Sequence, residues 1–335
     1  MTETTDYRRL IEDQAARSAQ ALSRFVRTGQ DFALVDFPDH YNVGDSAIWL
    51  GEIALFKRLL GGGPSYVSTV ESYSKEALRR AAPTGPIFIH GGGNFGDIYP
   101  KHQDFRIRLM TDFPDRDIVQ LPQSISFSAP EAVAATAQAI AKHGRFTLLV
   151  RDQPSLNFAR EHFVCPSELL PDMAFGIGPI EKPVSPSSAV FMLLREDTER
   201  AAYDREPLLR RPDAVAADWV TEPQRFHRLC TWRSRIAMAG KGGLASPQGT
   251  LDLYNRLAQG RVRRGLKMLA SGRVVVTDRL HAHILSTMMD IPHVVLDNSY
   301  GKIAGYMAAW TGVYPKVRRA KTSDDVLAHL KDWGV

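Results

Sequence analysis

RVVVTDRLHAHILS (273–286) decides the fold. Its first five residues include four β-branched side chains, Val274 to Thr277, the composition of a strand buried on both faces. From Arg279 onward the spacing turns helical. A strand running straight into a helix is the basic unit of a parallel sheet. The same grammar recurs upstream in FALVDF (32–37), YVSTV (66–70), PIFIH (86–90), DIVQLP (117–122) and RFTLLV (145–150). It recurs around the opening stretch in AVFMLLR (189–195) and HVVLD (293–297). Helical spacing marks 5–28, 46–59, 131–144, 250–270, 279–290, 301–310 and 323–333. The expected fold class is therefore α/β, with two doubly wound domains facing a cleft. The Pro- and Ser-rich segment 178–189 is the linker candidate, giving domains of 1–180 and 181–320. Residues 321–335 form a last helix that is a candidate for crossing back to the first domain. Residues 205–243, rich in Arg and Trp, receive no assignment.

A chain of 335 residues suits two domains. With 44% hydrophobic and 24% charged residues it is neither disordered nor collagenous. No apolar run approaches the ~20 residues of a membrane span. MTETTDYRRLIEDQ (1–14) has no signal-peptide pattern, so a cytoplasmic protein is expected. The net charge of +5 is unevenly spread: residues 1–180 carry 18 basic and 21 acidic side chains, residues 181–335 carry 24 and 16. The basic half suits an anionic small molecule, an anionic membrane surface or nucleic acid, with a solvated basic face as the plain alternative. Arg261, Arg263, Arg264 and Lys267 lack interleaved aromatics, which argues against nucleic acid. They read as a solvated helix face or a peripheral contact with the inner membrane.

The candidate chemistry sits at strand ends, where open α/β sheets bind ligands. In TDRLHAHILS (277–286), Arg279 and His281 lie at a helix start that favours anions. His281 and His283 point to different helix faces and make no metal pair. In VRDQPS (150–155), Arg151 follows a strand and can fork onto carboxylate or phosphate, unless Asp152 is simply its surface partner. In LDNSYGKI (296–303), Ser299 and Lys302 offer donors and charge at another helix start. In YNVGDSA (41–47), Asp45 is either a cleft carboxylate or a helix cap. HGGGNFGDIYP (90–100) fits G-x-G-x-x-G in letters, but Pro100 interrupts the helix a dinucleotide site requires, and Asp97 would oppose a pyrophosphate. No zinc, Walker A or nucleophile-elbow pattern occurs, so no metal or cofactor is expected.

Together, YNVGDSAIWLGE (41–52), HGGGNFGDIYPKHQDFR (90–106), LPQSI (121–125), VRDQPS (150–155), LPDMAF (170–175), TDRLHAHILS (277–286) and LDNSYGKI (296–303) resemble the polysaccharide pyruvyl transferase family. The resemblance implies two Rossmann-like halves similar to GT-B glycosyltransferases. It implies transfer of the enolpyruvyl unit of phosphoenolpyruvate to a sugar in bacterial exopolysaccharide synthesis, closing a pyruvate ketal and releasing phosphate. The family's donor pattern maps onto His102, Arg151, Leu280 and His281, and Arg279, Ser299 and Lys302 join that side. His281 is then the general acid. Asn42, Gly44, Asp45, Gly92, Gly93, Asn94 and Asp97 would line the acceptor side, with Asp45 the candidate base. The acceptor would be a polysaccharide or its precursor, lipid-linked oligosaccharides included.

Three rival readings follow from the same residues. A GT-B glycosyltransferase would bind a nucleotide sugar in the second domain, with Asp297 on the ribose. A non-enzymatic scaffold of polysaccharide assembly would not need His281. An NAD-dependent oxidoreductase conflicts with Pro100.

Overall fold

All described strand pairs are parallel. The computed structural model describes residues 6–195, 203–219, 246–297 and 302–335. The first sheet holds β1 (Ala33–Val35), β2 (Tyr66–Ser68), β3 (Ile87–Ile89), β4 (Gly92–Phe95), β5 (Ile118–Ile125), β6 (Phe146–Val150) and β7 (Ser167–Leu169). Its order is β2-β1-β3-β5-β6-β7, and β4 prolongs the line of β3 along the second half of β5. The second sheet holds β8 (Ser188–Leu193), β9 (Ala214–Ala217), β10 (Gly272–Thr277), β11 (His293–Leu296) and β12 (Val317–Ala320), in the order β12-β11-β10-β8-β9. Each sheet grows first to one side and then to the other. The direction reverses between β1 and β3 and again between β8 and β10, and such a reversal leaves a crevice at the carboxyl ends of the strands.

The α/β class and the two doubly wound sheets agree with the sequence reading. Four strands escaped it, each for a physical reason. β7 and β12 are short edge strands whose SEL and VRRA carry little apolar signal because one side faces water, and β9 is a short edge strand whose AVAA is mostly alanine, a weak strand former. β4 is GGNF, glycine-rich where a loop is expected. Pro100, read as a helix breaker, starts the helix Pro100–Asp112, since the first helical residue needs no N–H.

Two helices join the sheets. Helix Tyr7–Leu22 lays Ile11 against Ala282 and Leu285, and Leu10 against Val295, Ile303 and Met307. Helix Pro247–Ala270 places Leu251, Tyr254, Leu257 and Ala258 in the first core, where the Tyr254 ring stacks on Phe37 at 4.1 Å. Its Val262, Leu269 and Ala270 belong to a cluster that also takes Val43, Ala47 and Phe175 from the first half and Phe191 and Val275 from the second. Full burial of each large apolar side chain contributes roughly 1.5–3 kcal/mol, so the two halves share an apolar seam. The closing helix Ser323–Asp332 does not supply the crossing: Val326 and Leu330 pack under the second sheet with Val274 and Val294.

The basic stretch on the long helix is also not one solvated or membrane-facing surface. Arg261 is buried, donating to Pro38 O at 3.1 Å and Asp39 Oδ1 at 3.0 Å. Arg264 donates to Tyr41 O and Trp219 O. A buried guanidinium requires such partners, so both arginines pin the loop after β1. Arg263 and Lys267 remain exposed. No helix among the described residues is long and apolar enough to cross a membrane.

Candidate active site

The two crevices open onto one cavity of about 370 Å³. Asp36 and His90 enter it from the ends of β1 and β3, Arg195 and Arg279 from the ends of β8 and β10. Asn42, Asp45, Gly93, Asn94, Tyr99, His102, Arg151, Leu280 and His281 complete much of the lining. The cavity therefore gathers most residues singled out from the sequence.

Two helix starts meet there. Helix Val43–Leu60 is capped by Asn42, whose Oδ1 accepts Gly44 N–H at 3.0 Å while Nδ2 donates to Asp45 Oδ2 at 2.9 Å. The cap is thus Asn42 and not Asp45, which stands free of that duty in the first turn, 3.5 Å from His40 Nε2. Opposite, helix Leu280–Met288 begins after Arg279 without a side-chain cap. Gly44 faces His281 so closely that a Cβ there would lie 2.2 Å from Nδ1. Gly44 serves this packing.

Asp172 organises the wall formed by Arg151 and His281. Its Oδ2 accepts Arg151 Nη1–H at 2.7 Å and His281 Nε2–H at 3.2 Å, and its Oδ1 accepts Ala174 N–H at 2.9 Å. Burial opposes its charge, but His281, Arg151 and the Ala174 amide outweigh burial and hold the carboxyl well below its usual range. Arg151 is buried rather than solvated. Its Nε donates to Ser124 Oγ at 2.9 Å, and Ser124 in turn donates to Asp152 Oδ2 at 2.6 Å. Asp152 is the N-cap of the next helix and not the partner of Arg151. Nη2 of Arg151 lies beside Gly93, 3.1 Å from where a Cβ would be. Arg279 donates to Asp218 Oδ2 at 2.6 Å.

On the facing wall, His102 Nδ1–H donates to Asp36 at 2.8 Å, which turns Nε2 outward from the pair. Asp36 holds φ at +69°, an uncommon conformation for a residue other than glycine. The pairing makes His102 part of the first-domain wall. Below it, fully buried Arg106 donates to Gln120 Oε1 at 2.7 Å and to Asn94 O at 3.0 Å, and also to Asn94 Oδ1. Asn94 is therefore held rigidly. Tyr99 stands half-exposed at the rim. Burial, with Arg261, His90 and His102 nearby, outweighs Asp45 and lowers the pKa of His40.

Some expectations fail. Asp97 does not line the cavity. Its carboxylate accepts Ser128 N–H at 2.8 Å and Ala129 N–H at 2.7 Å, closing the start of helix Pro130–His143. Gly92 is buried in β4 at φ +127°, a conformation that favours glycine. Asp297 accepts the N–H of Ile303 and Ala304, both at 3.1 Å, away from this cavity. Ser299 and the side chain of Lys302 lie outside the described residues. Residues the sequence reading missed include Asp36, Glu52, His90 and Asp172. Asp36 and His90 follow strands directly, which is the signal that could have found them. Among the described residues, no three His, Cys, Asp or Glu side chains converge as a metal site.

Residues 42–300 match the family model for polysaccharide pyruvyl transferase. The chain is 35% identical over 290 residues to pyruvyl transferase 1 of Schizosaccharomyces pombe, covering 83% of this chain and 69% of that protein. It is 29% identical over 304 residues to the putative pyruvyl transferase EpsO of Bacillus subtilis, covering 88% and 91%. A crystal structure of a functionally uncharacterized Klebsiella pneumoniae protein shares the fold, with a TM-score of 0.57 at 16% identity over 92% of this chain and 99% of that one. The chain belongs to the polysaccharide pyruvyl transferase family.

Proposed function

We propose that the protein transfers the pyruvyl unit of phosphoenolpyruvate to two hydroxyls of a polysaccharide or its precursor, as a ketal, with release of phosphate. The observation that carries this reading is the shared Asp172 carboxylate, which holds Arg151 and His281 together at the mouth of an uncapped helix start. A phosphorylated carboxylate needs that combination of fork, imidazole and backbone donors.

In this scheme Arg151, Arg279 and the N–H groups at Leu280 and His281 bind the donor's two anionic groups. His281, as imidazolium, passes a proton to the methylene carbon. Its Nε2 faces Asp172 Oδ2 at 3.2 Å, a contact that steadies the imidazolium until the proton is passed on. A sugar hydroxyl adds to C2 and loses its proton to Asp45. The C2–O bond to phosphate then breaks, and a second hydroxyl closes the ketal. General acid help of this kind supplies roughly 10²–10⁴-fold. His102 completes the donor site from the facing wall, Asn42 and Asn94 orient the acceptor, and Tyr99 offers it a ring face. Asp172 acts as the positioning residue behind both donor-side groups.

The test is phosphate release from phosphoenolpyruvate with a glycan library, read with product mass. The expected product gains the mass of pyruvic acid less one water. Absence of phosphate release across acceptors, with stoichiometric binding of a nucleotide sugar instead, would overturn the reading.

A further inference from the structure

The proposed transfer has to move two protons. Each of two sugar hydroxyls loses one; one proton ends on the new methyl carbon, the other on phosphate. His281 and Asp45 account for the first, and nothing so far accounts for the second.

His90 has the required setting. It follows β3 at the switch point, borders the cavity and is 2% exposed. Its Nδ1 pairs with Glu52 Oε2 at 2.8 Å, and Glu52 Oε1 accepts Gly91 N–H at 2.8 Å. Glu52 is itself fully buried on helix Val43–Leu60. Its carboxylate therefore sets the ring orientation and leaves Nε2 as the working nitrogen. Among the described residues Nε2 has no hydrogen-bond partner. Burying a carboxylate–imidazole pair is expensive, and so is leaving a buried ring nitrogen unpaired. Glu52 is repaid by His90 and the Gly91 N–H, but Nε2 is not, and a ligand at this wall of the cavity would satisfy it.

We propose that Nε2 of His90, held by Glu52, contacts the bound substrate and carries the second proton. As the C2–O bond to phosphate breaks, Nε2–H passes its proton to the departing oxygen. The second sugar hydroxyl forms its bond to C2, and its proton recharges His90. The charged groups acting on His90 are Glu52 and Asp45 on one helix, Asp36 after β1, and His40 on the following loop. Burial lowers its basicity, but the three carboxylates outweigh burial and favour the imidazolium. Glu52 is a positioning residue, because it acts through His90.

This inference rests on the proposed function, and the experiment separates the two. Wild type, His90→Gln and Glu52→Gln are assayed for phosphate release from phosphoenolpyruvate plus acceptor across pH, with circular dichroism as the check on folding. Folded His90→Gln is expected to lose about 10²-fold or more in kcat with donor KM within about threefold of wild type. Glu52→Gln is expected to move the alkaline limb of the kcat profile to lower pH. Wild-type kcat in His90→Gln, or an unmoved limb in Glu52→Gln, overturns the His90 role and leaves the transferase reading intact. A wild-type protein that releases no phosphate overturns the reading itself. Should both variants fail to fold, ¹⁵N-histidine NMR of the wild type decides. A ring with Nδ1 protonated whose Nε2 resonance shifts with phosphoenolpyruvate supports the role, and no such shift overturns it.

Discussion

Gly44 and His281 meet across the cleft, the first turn of one domain's helix packed against the imidazole presented by the other. A methyl group at Gly44 would sit 2.2 Å from His281 Nδ1, so Gly44→Ala must displace the ring or the helix start. A shift near 1 Å at a reacting group costs about 10²-fold. Gly44→Ala is expected to lower kcat for phosphate release by about that factor while its far-ultraviolet circular dichroism stays native. Wild-type kcat would show that His281 need not hold this position.

The Asp172 carboxylate binds Arg151 and His281 at once, so Asp172→Asn should affect both. Removing one member of a buried charged group costs about 3–5 kcal/mol. A lowered denaturant midpoint is expected, together with a raised donor KM and a reduced kcat. The single variants should divide these effects: Arg151→Ala mainly in KM, His281→Ala mainly in kcat. Equal kcat losses with unchanged KM in both would remove Arg151 from donor binding.

His283 and His293 predict an acid-sensitive core. His293 Nδ1–H donates to Ile291 O at 2.7 Å, so His293 Nε2 accepts from His283 Nδ1–H at 2.7 Å, and His283 Nε2 accepts from Thr311 Oγ1–H at 2.7 Å. The chain of bonds runs one way only if both rings are neutral. Burial, with the two rings adjacent, pushes His283 well down; burial, against the Ile291 carbonyl, pushes His293 down to about 4. Histidines lowered in the folded state favour folding above the unfolded value near 6.5. That contribution is lost as pH falls from about 6.5 toward 4. Urea midpoints should therefore drop steadily between pH 7 and pH 5, and His293→Phe should flatten the slope. A pH-independent midpoint over that range would refute the neutral chain.

Arg261 tests whether the basic stretch is structural. Its partner Asp39 is half-exposed, so that ion pair is screened, and most of the effect comes from the bond to Pro38 O and the buried stem. Arg261→Ala should cost about 2–3 kcal/mol, whereas exposed Arg263→Ala should fall within about 0.5 kcal/mol of wild type. Because Arg261 anchors the loop leading to Asn42 and Asp45, a raised acceptor KM should accompany the loss. Thermal midpoints and acceptor kinetics check both.

Much of this protein was legible in one dimension. Alternating apolar runs and helical spacing are local properties, and they determined the α/β class, the central strands β1, β3, β5, β6, β8, β10 and β11, and helix ends such as Gly61 and Gly144, which take positive φ. The ends of strands also flagged Arg151, Arg279 and His281 as residues of one chemistry. What the sequence could not express was which distant groups share a hydrogen bond. Asp172 joins Arg151 to His281, Glu52 turns His90, and Asp36 turns His102, pairs separated by 21 to 109 residues. Only the packing of the long helices against both sheets sets those distances. It is the burial imposed by that packing that makes Asp172, Arg151, Glu52 and Asp36 each take a partner.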